Sequence, residues 1–326
     1  MLHNKKVPTH PAYEAILKAM QASELNWQTT EPAILRGIIE SAPVPPNVVL
    51  PDTLVEEKEI TIDLQNTGGL QNSSTLKLIV TRPPGTENKI IPAFIYLVGG
   101  GFLFGSYRAA EKFIKDLTVQ ANVAVIFVSY SLAPEVKFPV ATEECYSSIL
   151  WIHQHANELN IDSSKLVVGG DSAGGNLSTV SSILLKKRGH KDILKGQVLM
   201  YPYVAFSGDN YESRQIFGDG DYMLSREDLK RIGKAYLGDI DKKDIDDIRL
   251  SPIKATDEEL NGLPRALVIT AECDVFRDEG EHYAHRLLKA GVKTTAIRSI
   301  AAAHGFLTAP VDTENYTQCM DTIYSR

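Results

Sequence analysis

The sequence predicts an α/β protein built on a largely parallel sheet. From about residue 75 onward, short apolar runs alternate with helical patterns. Several of these runs are β-branched and nearly continuous in apolar character, as expected of central strands buried on both faces. The strand candidates are Thr75–Thr81, Ile90–Leu97, Val123–Tyr130, Lys165–Val168, Gln197–Met200, Ala266–Thr270 and Thr294–Arg298. Helical patterns stand between and after them at Glu111–Gln120, Val140–Glu158, Ala173–Lys187, Asp278–Lys289 and Glu314–Tyr324. Strand–helix alternation of this kind builds βαβ units, and hence parallel pairing.

Two segments depart from the alternation. Residues 1 to about 55 read as helical over Ala12–Ser23 and Pro32–Ser41 and end in the proline-rich SAPVPPNVVLP. Residues 203–263 form a long insert rich in Asp, Gly and Tyr, with one clear helix at Arg226–Leu237. Loops of that length are rare and usually functional. Both pieces are expected to fold over the C-terminal edge of the sheet, where open α/β sheets hold ligands; peripheral decoration is the alternative. The whole chain, 1–326, is expected to form a single domain.

Composition narrows the function classes. Of 326 residues, 43% are hydrophobic and 23% charged, which suits a large core and gives no sign of disorder. The net charge of −7 and the lack of a basic stripe argue against a nucleic-acid partner. Lys186-Lys187-Arg188 reads as a cationic helix end before Gly189. Cys145, Cys273 and Cys319 are too few and too scattered for a disulfide framework or a zinc site. No run reaches the ~18 apolar residues of a membrane span. The polar start MLHNKKVPTH lacks a signal-peptide core. A cytoplasmic location is therefore expected.

Chemistry enters with Lys165-Leu-Val-Val-Gly-Gly-Asp-Ser-Ala-Gly-Gly-Asn176. Within it, Gly170-Asp171-Ser172-Ala173-Gly174 is a G-x-S-x-G pattern set between an apolar strand and a small-residue helix. A sharp strand-to-helix turn there would expose the Ser172 hydroxyl and aim the Ala173 amide into the same space. Gly99-Gly100-Gly101-Phe102 also follows a strand directly. Consecutive glycines let backbone amides converge on one point, as a tetrahedral oxyanion requires. Neither the phosphate-loop pattern nor the dinucleotide-binding spacing is matched.

A base and an acid complete the set. Asp274 follows an apolar strand in Leu267-Val-Ile-Thr-Ala-Glu-Cys-Asp-Val-Phe-Arg-Asp-Glu-Gly280; Glu272 and Asp278 compete for the role. Asp278 and Glu279 read as first-turn helix acids. His304, in Ile300-Ala-Ala-Ala-His-Gly-Phe306, is the one histidine on a post-strand loop at the same sheet edge. His282 and His285 have a spacing that could bind metal but lack a third ligand and the HExxH pattern. No cofactor or metal is expected. The chain order Ser, Asp, His is that of α/β-hydrolases rather than of the chymotrypsin or subtilisin folds.

Over roughly residues 75–320 the chain resembles the hormone-sensitive-lipase family of α/β-hydrolases, which includes bacterial acetyl esterases and arylesterases. The resemblance rests on GGGF at Gly99–Phe102, SLAPE at Ser131–Glu135 with Phe138-Pro139, GDSAGG at Gly170–Gly175, DVFRDEG at Asp274–Gly280 and HGF at His304–Phe306. It implies an eight-stranded, mostly parallel sheet with helices on both faces and a helical cap. It also implies Ser172, Asp274 and His304 as catalytic residues, oxyanion donors at Gly100, Gly101 and Ala173, and homodimerisation, frequent in that family. Two positions depart from the family's pattern: Val98 replaces the histidine of HGGG, and Ser131 replaces the arginine of YRLAPE.

The expected activity is hydrolysis of small carboxylic esters, with short acyl chains favoured because the segments outside the alternation are polar. Two alternatives stand beside it: a non-catalytic ligand receptor on the same fold, and amidase or lactonase chemistry with the same residues.

Overall fold

The seven apolar runs become strands of one sheet, which has eight strands among the described residues. The computed structural model describes residues 6–22, 29–41, 50, 56–64, 75–208, 210–238, 242–309 and 311–325. The strands are β1 (Glu56–Asp63), β2 (Thr75–Arg82), β3 (Ile91–Leu97), β4 (Ala124–Ser129), β5 (Ile161–Asp171), β6 (Leu194–Met200), β7 (Arg265–Cys273) and β8 (Thr294–Ala303). Their spatial order is β1-β2-β4-β3-β5-β6-β7-β8. Only β2 runs against its neighbours; all pairings from β4 to β8 are parallel. The expected eight-stranded, mostly parallel sheet is the one observed.

Ten helices accompany the strands among the described residues: α1 (Pro11–Ala22), α2 (Pro32–Ser41), α3 (Glu111–Ala121), α4 (Val140–Gln154), α5 (Ala173–Lys187), α6 (Glu212–Phe217), α7 (Arg226–Leu237), α8 (Asp257–Leu260), α9 (Arg277–Lys289) and α10 (Glu314–Tyr324). Helices α3 and α10 pack on each other in one layer, while α4, α5, α8 and α9 form the other. Helix α5 is buried at every residue from Ala173 to Leu185. Its small polar residues allow this: Ser178 and Ser182 return their hydroxyls to the carbonyls of Gly174 and Ser178, at 2.7 and 2.9 Å.

The differences from sequence expectation are local. Strand β1 was not among the candidates. It reads Glu-Glu-Lys-Glu-Ile-Thr-Ile-Asp, charged as edge strands often are, and only Ile62 in its apolar half is fully buried. The helix expected to reach Glu158 stops at Gln154, and a run of turns follows. Strands β5, β7 and β8 are longer than their apolar centres, so β7 and β8 end immediately before Asp274 and His304. Residues 42–49 of the proline-rich stretch, and Ser23, lie outside the described residues. All three cysteines are free and buried. Among the described residues no helix is long and apolar enough to cross a membrane.

Candidate active site

Because β3, β5, β7 and β8 are parallel, their C-terminal ends meet at one edge of the sheet. The candidate site is assembled there. Ser172 is the single residue between β5 and α5, held at φ 55° and ψ −116°. That backbone is unfavourable for a side chain-bearing residue, and it is pinned on both sides. The Ser172 amide donates to Met200 at 2.8 Å, and its carbonyl accepts from Tyr203 at 3.1 Å. The elbow also needs close approach: a methyl group at Gly174 would fall 1.8 Å from the Leu97 carbonyl oxygen.

His304 bridges the other two side chains. Its Nε2 lies 3.0 Å from Ser172 Oγ, and its Nδ1 lies 2.8 Å from Asp274 Oδ2. The Asp274 carboxylate is out of water, and its Oδ1 accepts the Phe276 amide at 3.0 Å. Burial opposes charge on the imidazole. The carboxylates of Asp274, then Asp171 and Glu279, more than offset it, so His304 titrates above the ordinary histidine range. Rings of Tyr201 and Phe276 meet the imidazole edge-on at 5.0 and 5.2 Å and fix its plane.

The alignment of Asp274 with His304 comes from register. Cys273 pairs with Ala303, so the next residue of each strand is the acid or the imidazole. The pairing reaches this point through an irregularity in β8 beyond Ser299, where Ala301 adopts φ 58°. Bulges of this kind re-aim side chains beside active sites. Glu272, a competing acid by sequence, holds the irregularity: its Oε2 accepts the Ala301 amide at 2.7 Å. Asp278 also goes elsewhere, accepting the Ser213 amide at 2.7 Å.

The glycine segment crosses in front of Ser172. Gly100 (φ 102°) and Gly101 (φ 63°) line the same cavity as Ser172 and His304. Among the described residues the amides of Gly100, Gly101 and Ala173 donate to no protein acceptor, which leaves them available to a bound oxygen. Asp171 braces the segment by accepting the Gly99 amide at 2.8 Å and the Tyr96 hydroxyl at 2.6 Å. At the position of the absent family histidine, Val98 offers only its carbonyl, which accepts from Tyr130 Oη at 2.7 Å. Ser131 gives both its amide and its hydroxyl to the buried Glu144, at 2.7 and 2.9 Å.

The cavity above Ser172 measures about 760 Å³. Leu17 and Met20 of α1 and Tyr222, Met223, Leu224 and Ile232 from the 203–263 insert supply much of its apolar wall. Both segments turn apolar residues toward the cavity. Ile232 presses on the glycine segment, its Cδ1 only 2.7 Å from where a Gly101 methyl group would sit.

Glu279 does more than its sequence reading. It stands in the first turn of α9 as expected, but it is also fully buried and pairs with buried Arg214 at 2.5 Å. His285 is exposed, and His282 meets the Tyr211 hydroxyl at 2.8 Å. No group of three or more metal-ligating side chains occurs among the described residues. Sequence reasoning missed the supporting residues Asp171, Tyr96, Tyr201, Phe276 and Ile232; Asp171 and Phe276 lay inside recognised motifs, where nothing in the local pattern marked their supporting roles.

A parallel sheet with a serine elbow and a returning histidine defines the α/β-hydrolase class. Residues 94–308 match the family described by the alpha/beta hydrolase fold, and the chain belongs to that family, in its hormone-sensitive-lipase branch. It is similar to an arylesterase of Saccharolobus solfataricus, 35% identical over 238 residues, covering 69% of this chain and 70% of the other. Among solved structures it resembles a fungal esterase from Rhizomucor miehei, at 44% identity and TM-score 0.90, covering 98% and 97% of the two chains. A thermostable esterase from Pseudomonas putida is similar at 30% identity and TM-score 0.86, covering 98% and 96%.

Proposed function

We propose that the protein is a serine carboxylesterase acting on small, short-acyl esters through a covalent acyl-enzyme. The observation that carries the reading is the His304 imidazole, in hydrogen-bond reach of Ser172 Oγ on one side and Asp274 on the other. His304 takes the hydroxyl proton as Ser172 attacks the ester carbonyl, and the amides of Gly100, Gly101 and Ala173 stabilise the oxyanion. The imidazolium then protonates the leaving alcohol. Water repeats the attack on the acyl-enzyme, with Asp274 holding the tautomer throughout. The esterase names of the related proteins agree with this chemistry. Ile232, pressed against the glycine segment, limits the space beside Ser172 and favours a short acyl group. Residues 1–55 and 203–263 act as the cap of a single hydrolase domain, since α1 and α7 contribute lining residues.

Hydrolysis of p-nitrophenyl acetate by Ser172→Ala tests the assignment. Loss of turnover by roughly a thousandfold or more is expected; full activity would refute it. Fluorophosphonate labelling of the parent protein at Ser172 separates an enzyme from a receptor. A fall in kcat/KM with lengthening acyl chain tests the short-acyl preference.

A further inference from the structure

Arg36 lies on α2, far in sequence from every motif of the site, yet its guanidinium reaches the glycine segment. Nε donates to the Leu103 carbonyl at 2.7 Å, and Nη2 donates to the Ala133 carbonyl at 2.5 Å. Leu103 is two residues beyond Gly101 and lines the catalytic cavity. Ala133 is itself fastened to this segment, its amide donating to the Phe102 carbonyl at 2.8 Å. The fork is completed by Glu135, which takes Nη1 and Nη2 at 2.8 and 2.9 Å. One planar group thus serves two backbone carbonyls and a carboxylate, which a lysine ammonium cannot reproduce in that geometry.

Val98 stands where the HGGG pattern has a histidine, and its apolar side chain can form no hydrogen bond to the glycine turn. The remaining supports are Asp171 at Gly99 and Tyr130 at Val98, both on the near side of the turn. On the far side, Leu103 and Phe104 fold back to the Gly100 carbonyl at 3.1 and 2.9 Å. Arg36 grips that side from outside the sheet.

We propose that Arg36 is a positioning residue for ester hydrolysis: held by Glu135, it fixes the far arm of the glycine turn so that the Gly100 and Gly101 amides point at the developing oxyanion, making α2 part of the catalytic framework. This rests on the proposed reading of the site.

The test compares the full chain with Arg36→Ala, Arg36→Lys and Glu135→Gln, using p-nitrophenyl acetate and a trifluoromethyl ketone that forms a tetrahedral adduct. For Arg36→Ala, kcat falls about 10- to 100-fold while KM changes less than about threefold, because an oxyanion donor displaced by a fraction of an ångström loses transition-state stabilisation first. Ketone affinity falls in proportion to kcat/KM. Arg36→Lys recovers only part of the loss, and Glu135→Gln gives a smaller one that is not additive with Arg36→Ala. Should Arg36→Ala not fold, the lysine and Glu135→Gln variants carry the comparison alone. Unchanged kcat and ketone affinity in the folded variants overturn the proposal, as does a lower melting temperature with kcat per folded molecule intact. Ser172→Ala separates the two readings: if it keeps full turnover the site assignment itself fails, whereas its inactivity beside a fully active Arg36→Ala removes only the role of Arg36.

Discussion

Asp171 and Gly99 are joined by a 2.8 Å hydrogen bond that ties the residue before Ser172 to the first glycine of the facing turn. The same carboxylate oxygen accepts Tyr96 Oη at 2.6 Å, so the serine elbow and the glycine segment share one buried anchor. Burial lifts Asp171 above the ordinary carboxyl range against the pull of these two donors. The variable position of G-x-S-x-G is therefore a structural joint here.

Truncating that joint differs from neutralising it. Asp171→Ala leaves the Gly99 amide and the Tyr96 hydroxyl buried without an acceptor, at about 1–3 kcal/mol for each orphaned group. A lower melting temperature and a lower kcat are expected together. Asp171→Asn keeps an acceptor oxygen and retains most of both. Equal melting temperatures for the two variants would contradict the anchor.

The pH profile follows from His304. In the proposed mechanism only the neutral imidazole can take the Ser172 proton, so kcat/KM is expected to rise with pH through the pKa of His304. Carboxylates stabilise the imidazolium and raise that pKa, placing the midpoint above the ordinary value of about 6.5. Asp274→Asn removes the chief carboxylate. The midpoint then moves to lower pH even as the rate falls, by up to about 10⁴ where the tautomer is lost. Asp171→Asn shifts the midpoint the same way by less. A midpoint unmoved in Asp274→Asn would rule out Asp274 as the group that sets it.

The legible and hidden parts of this molecule divide by distance along the chain. Ser172, Gly100, Gly101, Asp274 and His304 each sit where an apolar strand gives way to a turn, so periodicity and local residue type locate them. Strand β1 escaped because Glu56-Glu-Lys-Glu59 masks its two isoleucines, and its partner β2 lies beyond a long polar stretch. Arg36 and Glu135 are 99 residues apart, and Arg214 and Glu279 are 65 apart. No local pattern announces such pairs. The burial of Glu279 is hidden for a related reason: an acid in the first turn of a helix fits the macrodipole whether it faces water or the core.

That buried pair supports the ring stack behind the imidazole. The Arg214 guanidinium lies 5.5 Å from the Tyr203 ring and 5.7 Å from Phe276, which meets His304 edge-on. Glu279 in turn accepts the amides of Val204 and Ala205 at 2.8 and 3.1 Å. Breaking one side strands a charge: Arg214→Met or Glu279→Gln is expected to cost about 3–5 kcal/mol. The double variant should cost well below the sum, because glutamine still accepts the two amides and no unpaired charge remains. Urea unfolding of the four proteins measures the coupling; strict additivity would show the pair is not one unit.

The irregularity in β8 makes a last prediction, because it brings His304 level with Asp274. Ala301 holds φ 58° there, a conformation costing an L-residue about 1–2 kcal/mol. Glycine relieves that cost but gains freedom in the unfolded chain, so Ala301→Gly should be near neutral in stability and keep its activity. A β-branched residue tolerates this region poorly; Ala301→Val should straighten or distort the strand and lose kcat. Glu272→Ala removes the acceptor that holds the Ala301 amide and should lower kcat about tenfold or more by letting the histidine drift from Ser172. Glu272→Gln, which can still accept that bond, should remain close to the parent enzyme. The four variants are read by kcat and by the rate of Ser172 labelling. Ala301→Val and Glu272→Ala at parental values would mean that register alone, without the irregularity, sets the histidine.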